Sequence, residues 1–148
     1  MTKEIIVPAT SANMGPGFDS IGCAVNLYLK VQIGPASEEW HVDHPFGNKV
    51  ADDASNLIVQ SALNADPDIK SHIIEVKSEI PLTRGLGSSS SAIIAGLLLG
   101  KELSQKKSVQ KNYWILLLKW RVIQIMPSRL CLEESLLAAK IHWKMINS

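Results

Sequence analysis

The sequence predicts a fold of mixed strands and helices. Three observations carry that expectation. Apolar residues alternate with polar ones over Val25–Ile33, alternation returns over Ile74–Ile80, and the run Ser89–Leu103 is long, helical in composition and apolar almost all round. A chain of 148 residues is long enough for one domain with a real core. Its hydrophobic fraction of 46% and charged fraction of 20% fit a globular protein rather than a disordered one. A net charge of +1 gives no electrostatic reason to expect nucleic acid or an anionic membrane as partner.

Each element follows in chain order. Met1–Val7 is a strand-like run that Pro8 closes, and it has none of the layout of a secretory signal. Val25, Leu27, Leu29, Val31 and Ile33 then form one face of a strand whose other face is Asn26, Tyr28, Lys30 and Gln32. Gly34-Pro35 is expected to end it. Glu39–Asp53 is polar and turn-rich, a loop with room for one short strand. Ser55 is expected to cap a helix running to about Leu63, with Leu57, Ile58, Ala62 and Leu63 facing inward. Ile74, Val76, Ser78 and Ile80 make a second alternating strand that enters Pro81. The helix over Ser89–Leu103 should be buried, and Gly96 and Gly100, one turn apart, should let another element approach closely.

Cys23 and Cys131 match no metal-binding or redox spacing and read as reduced thiols of a cytoplasmic protein. His41, His44, His72 and His142 complete no ligand set and are expected on the solvated surface. The longest apolar stretch, Tyr113–Met126, is broken by Lys119, Trp120 and Arg121. It falls short of the roughly 20 apolar residues that cross a bilayer, so no membrane partner is expected.

The segment with the most chemical content is Pro81-Leu82-Thr83-Arg84-Gly85-Leu86-Gly87-Ser88-Ser89-Ser90-Ser91, set between a strand and a buried helix. Gly85 and Gly87 allow positive φ and close backbone approach to a ligand. Successive amides and the first helical turn would then converge on one spot where the helix dipole favours an anion. The serine hydroxyls add donors, and one could face a magnesium ion. Arg84 could add charge, against the plainer reading of an exposed arginine. The common P-loop needs a lysine after its glycines, and none follows here, so nucleotide chemistry would require a different architecture. A Gly/Ser turn that merely caps a helix is the competing reading.

A second glycine-rich loop, Pro8-Ala9-Thr10-Ser11-Ala12-Asn13-Met14-Gly15-Pro16-Gly17-Phe18-Asp19, lies between two strands. Asn13 and Asp19 flank its tight turn, and an amide with a carboxylate can bind a small polar substrate. Alone, the loop is equally well an ordinary turn held by side-chain bonds. Together, in this order and separation, the two loops resemble the first and second signatures of the GHMP kinase superfamily. The first loop resembles that of the homoserine kinases in particular. The resemblance covers Lys3 to about Leu103.

The resemblance implies an α+β fold, a truncated GHMP kinase N-terminal domain like the left-handed βαβ arrangement of ribosomal protein S5 domain 2. It also implies that Pro81–Ser91 binds ATP, that Ser89 is the hydroxyl nearest Mg2+, and that Asn13 and Asp19 face L-homoserine. The reaction implied is transfer of the γ-phosphoryl group to the homoserine hydroxyl, giving O-phospho-L-homoserine in threonine biosynthesis, with no residue identified as a general base. For the full-length enzyme the resemblance allows a homodimer. Another GHMP small-molecule kinase and a non-catalytic nucleotide-binding fragment are the alternatives.

The chain changes character after about Gln110. All nine glycines lie at or before Gly100, every aspartate lies at or before Asp68, and three of the four tryptophans lie in Lys111–Ser148. Family members continue with Glu-Gly-His-Pro-Asp-Asn, whose glutamate is a magnesium ligand, and then a Phe-Gly-Gly turn. One back-translation of Lys119–Met126, read one base earlier, spells Met-Glu-Gly-His-Pro-Asp-Asn. Lys111–Trp114 treated in the same way, and run into the codon of Ile115, gives Glu-Glu-Leu-Leu-Asp, and Pro127–Ser135 admits Phe-Gly-Gly. The division expected is therefore 1–110, a GHMP kinase N-terminal region, and 111–148, a frameshifted tail that selection has not shaped. Without its native continuation, the buried helix is expected to expose apolar surface, and the chain is expected to have little or no kinase activity.

Overall fold

The computed structural model describes residues 3–11 and 23–106. Four strands, β1 (Lys3–Ser11), β2 (Cys23–Ala36), β3 (His41–Asp43) and β4 (His72–Ser78), form one sheet in the order β1-β2-β4-β3. Helices α1 (Leu57–Ala65) and α2 (Ser88–Leu103) complete the described elements. β1 with β2 and β2 with β4 are antiparallel, whereas β3 and β4 are parallel neighbours joined through α1, a βαβ unit.

Register follows the apolar alternation. Ile5 faces Val31 and Val7 faces Leu29 across the first pair; Val31 faces Val76 and Ile33 faces Ile74 across the second. All of these are buried, so one face of the sheet is the core floor, as the alternation requires. On the opposite face, Gln32 donates to Glu4 and Lys77 pairs with Glu75, polar partners suited to solvent.

Both expected proline stops fail. β1 continues through Pro8 to Ser11, with a register shift between Pro8 and Ala9. β1 is the terminal strand of the described sheet, where a residue without an N–H is tolerated. β2 likewise runs through Gly34-Pro35 to Ala36, with the pairing shifted between Ile33 and Ala36. Gly34 is needed there because a Cβ would come within 2.7 Å of the Ile73 carbonyl oxygen. The short strand expected in the polar segment is β3, followed by a 3-10 turn over Gly47–Lys49.

The cap of α1 is Asn56 rather than Ser55. Asn56 Oδ1 accepts from the Ile58 N–H at 2.9 Å, while its Nδ2 donates to the Ala51 carbonyl at 2.6 Å. Ser55 is held by Asp53, to which its N–H and hydroxyl both donate. Those two bonds also hold the Asp53 carboxyl below its ordinary range. Ile58, Val59, Ser61 and Ala62 are buried; Leu57 and Leu63, expected inward, are only partly so.

α2 packs on α1 along its glycine stripe and, separately, on β1. A Cβ on Gly96 would collide with the Ile58 carbonyl and the Ser61 side chain, and one on Gly100 would stand 2.6 Å from the Ala62 carbonyl. The two helices therefore touch backbone to backbone, as the glycine spacing predicts. Ile93, Ile94, Leu97 and Leu99 are no more than 3% exposed. The expected apolar exposure of α2 is thus absent, and among the described residues Ile73 is the large hydrophobic side chain that is exposed. At its far end α2 is tied down by Ser104, which donates to the buried Asp66 at 2.5 Å, and by Lys106, which pairs with Asp66 and Asp68. The tail, 111–148, lies outside the described residues.

Candidate functional site

The loop between β4 and α2 begins where Ile80 buries its side chain and its N–H bonds to Ser78 Oγ at 3.1 Å. From there the backbone takes positive φ at every second residue: Thr83 (58°), Gly85 (71°) and Gly87 (66°). Gly85 and Gly87 fulfil the expectation; Thr83 is a β-branched residue in the same conformation, which sequence alone did not flag. Backbone that alternates in this way turns successive N–H groups toward one concavity and suits an anion.

α2 then starts at Ser88 with Gly87 as its cap, and no side chain caps it. The free N–H groups of its first turn and the positive end of the helix dipole are left for a ligand. Ser88 and Ser89 line an open, largely apolar cleft whose other walls include Leu29, Phe46, Leu57, Val76 and Leu82. Ser90 Oγ is buried without a hydrogen-bond partner, while Ser91 Oγ donates to the Pro8 carbonyl at 3.0 Å. Of the four serines, the first two therefore face the cleft and the last serves the packing of α2 on β1. Pro81, Thr83, Arg84, Gly85 and Ser89 are exposed; Leu82, Leu86, Gly87 and Ser88 are partly buried.

The residues fit a triphosphate with an apolar group attached. An uncapped helix mouth and a positive-φ loop supply donors, and the cleft beside them is apolar enough for a ring system. Among the described residues no group of three or more His, Cys, Asp and Glu side chains could hold a metal ion. Magnesium would have to be carried largely by phosphate oxygens. Asn13 and Asp19 lie outside the described residues.

Sequence reasoning missed four contributors. His44, expected on the surface, is half-buried in the cleft wall: its Nε2 lies 3.1 Å from the Ala51 carbonyl, and the Phe46 N–H donates to its Nδ1. Phe46, from the segment read as loop, and Asn56, read as part of the following helix, form the same wall. Thr10 N–H donates to the Leu86 carbonyl at 3.2 Å, joining the end of β1 to the loop. His142 lies outside the described residues.

Comparison with known proteins bears on the fold. Residues 51–120 match the family model of the GHMP kinases N terminal domain. The chain is 54% identical over 100 residues to a homoserine kinase of Lactiplantibacillus plantarum, covering 68% of this chain and 34% of that protein. It is 53% identical over 117 residues to a homoserine kinase of Bacillus mycoides, covering 74% and 39%. The chain thus spans about a third of the length of the curated relatives it matches. A solved structure from Listeria monocytogenes, assigned to homoserine kinase, superposes with a TM-score of 0.65 at 45% identity, covering 68% of this chain and 36% of the other. A mevalonate kinase superposes at 0.59 with 18% identity, covering 84% and 49%, a likeness of fold alone. No helix among the described residues is long and apolar enough to cross a membrane. The chain carries the N-terminal domain fold of the GHMP kinases, and over its N-terminal part its relatives are homoserine kinases.

Proposed function

We propose that this chain is the N-terminal part of a cytoplasmic homoserine kinase, which phosphorylates L-homoserine at its hydroxyl with ATP and forms O-phospho-L-homoserine for threonine biosynthesis. The observation that carries the reading is the uncapped mouth of α2, fed by a loop with positive φ at 83, 85 and 87 and opening on the cleft that Ser88 and Ser89 line. In this reading Pro81–Ser91 holds the phosphates and the apolar cleft takes the base. Asn13 and Asp19 bind homoserine, and Ser89 meets Mg2+.

Phosphoryl transfer asks the protein mainly for positioning and for stabilisation of charge on the transferring group. Backbone N–H groups fixed at a helix mouth do both without reorganising during the reaction. The homoserine hydroxyl oxygen forms the new bond to the γ-phosphorus, the bond to the bridging oxygen of ADP breaks, and the hydroxyl proton leaves to solvent. A panel of small alcohols with MgATP tests the assignment on the complete enzyme: homoserine should be the preferred acceptor, and preference for another alcohol would move the protein to a different GHMP activity.

The tail belongs to the same proposal. Residues 111–148 are the product of a shifted frame, caused by loss of one G after the Gln110 codon. The 148-residue chain accordingly lacks the magnesium ligand and turn that the restored frame encodes, and has little or no turnover. The nucleotide sequence around codon 110 decides this: codons unrelated to the restored reading would end it. Normal ATP-dependent phosphorylation by the chain as it stands would overturn the predicted inactivity.

A further inference from the structure

We propose that Thr10 is a positioning residue for phosphate binding, acting from behind the loop rather than on the ligand; the inference rests on the nucleotide reading of that loop. Thr10 is 4% exposed and sits on β1, 77 positions before Gly87 in the chain. Two features join it to the loop. Its backbone N–H donates to the Leu86 carbonyl at 3.2 Å. Its Oγ1 and carbonyl oxygen fill the space that a side chain on Gly87 would need.

The consequence follows from peptide geometry. In a planar trans peptide the C=O and the next N–H point in opposite directions. With the Leu86 carbonyl turned toward β1, the Gly87 N–H is turned away from it, to the outer side of the loop. Gly87, at φ 66° and without a Cβ, lies directly on Thr10. A β-branched side chain in a strand has few χ1 states, so Thr10 is a stiff floor under the residue that caps α2. Ser91 Oγ, bonded to the Pro8 carbonyl at 3.0 Å, holds the first turn of α2 to the same strand. β1 thereby sets both the tilt of the helix mouth and the direction of its leading amide.

The test compares Thr10→Val and Thr10→Ser in the 148-residue chain, reading the ligand-free Tm and the Kd for MgATP. Valine puts a methyl group in place of Oγ1 and lifts Gly87; serine keeps the oxygen. Thr10→Val should bind MgATP about tenfold more weakly while its ligand-free Tm changes little, and Thr10→Ser should bind within about twofold of the parent. A lower Tm with unchanged Kd would make Thr10 merely structural and overturn the proposal. If Thr10→Val does not fold, Thr10→Ala decides by the same Kd criterion. The same pair is compared in the frame-restored full-length protein: a parent that binds no MgATP there overturns the nucleotide reading itself, whereas binding by the parent with equal affinity in Thr10→Val overturns this inference alone.

Discussion

Gly85 and Gly87 share nearly the same backbone conformation, φ 71° and 66°, yet differ in what surrounds them. A Cβ on Gly85 meets nothing within 4 Å, whereas one on Gly87 collides with Thr10. Alanine at either position incurs the left-handed penalty of about 1–2 kcal/mol. At Gly85 that is the whole cost, because the side chain projects into open space. At Gly87 the obstruction is the Thr10 Oγ1, and the Thr10 carbonyl oxygen at 3.2 Å is close enough that strand backbone as well as a side chain must yield. Overpacking of that kind adds about 1–3 kcal/mol. Gly85→Ala should therefore cost about 1 kcal/mol and Gly87→Ala about 3 kcal/mol, shared between fold stability and phosphate affinity. Thermal unfolding with and without saturating MgATP separates the two shares, since the nucleotide-induced rise in Tm reports affinity. Equal effects of the two substitutions in both measurements would refute the claim that Gly87 is seated on β1.

Three further outcomes follow from the packing. Gly96→Ala should lower stability by about 1–2 kcal/mol despite a helix-propensity gain of about 1 kcal/mol, because its methyl group meets the α1 backbone; a Tm at or above the parent's would contradict the close helix contact. Asn56→Ala should cost about 1–2 kcal/mol in chemical denaturation, since it removes the α1 cap and one of the two partners of the Ala51 carbonyl; an unchanged midpoint would contradict that role. Asp66 has its carboxyl held below the ordinary 3.8, first by the Ser104 hydroxyl and then by Lys106. Its contribution is therefore complete above pH 3.8 and lost as pH falls through the lowered folded value, so Asp66→Asn should flatten the loss of stability below about pH 4; an unaltered acid-unfolding profile would show the tie to be idle.

Where a pattern is local, the sequence was a sufficient guide. Alternation at Val25–Ile33 and Ile74–Val76 gave the buried face of the sheet, because a period of two leaves one choice of face once an end is pinned. Gly96 and Gly100 announced the helix contact, since glycine pairs inside a helix are costly without one. Gly85 and Gly87 announced the positive-φ loop for the same reason. What stayed illegible depends on neighbours far along the chain. Pro8 ends a strand by itself but is accommodated on a terminal strand, and Pro35 is absorbed by an irregular pairing. Ser55 and Asn56 are both good caps, and the choice fell to Asn56 because Asp53 captures Ser55. The division of labour among Ser88–Ser91, and the placing of Thr10 beneath Gly87, are products of how α2 lies on β1. No spacing rule encodes that.

The measurement that bears most directly on the central claim is a titration of the isotope-labelled chain with MgATP, followed by amide NMR. Phosphate oxygens held at the mouth of α2 should move the N–H signals of Gly85–Ser90 most, with smaller changes at the cleft residues Phe46 and Leu82. Saturable binding that leaves the 85–90 amides in place and shifts another region would contradict it.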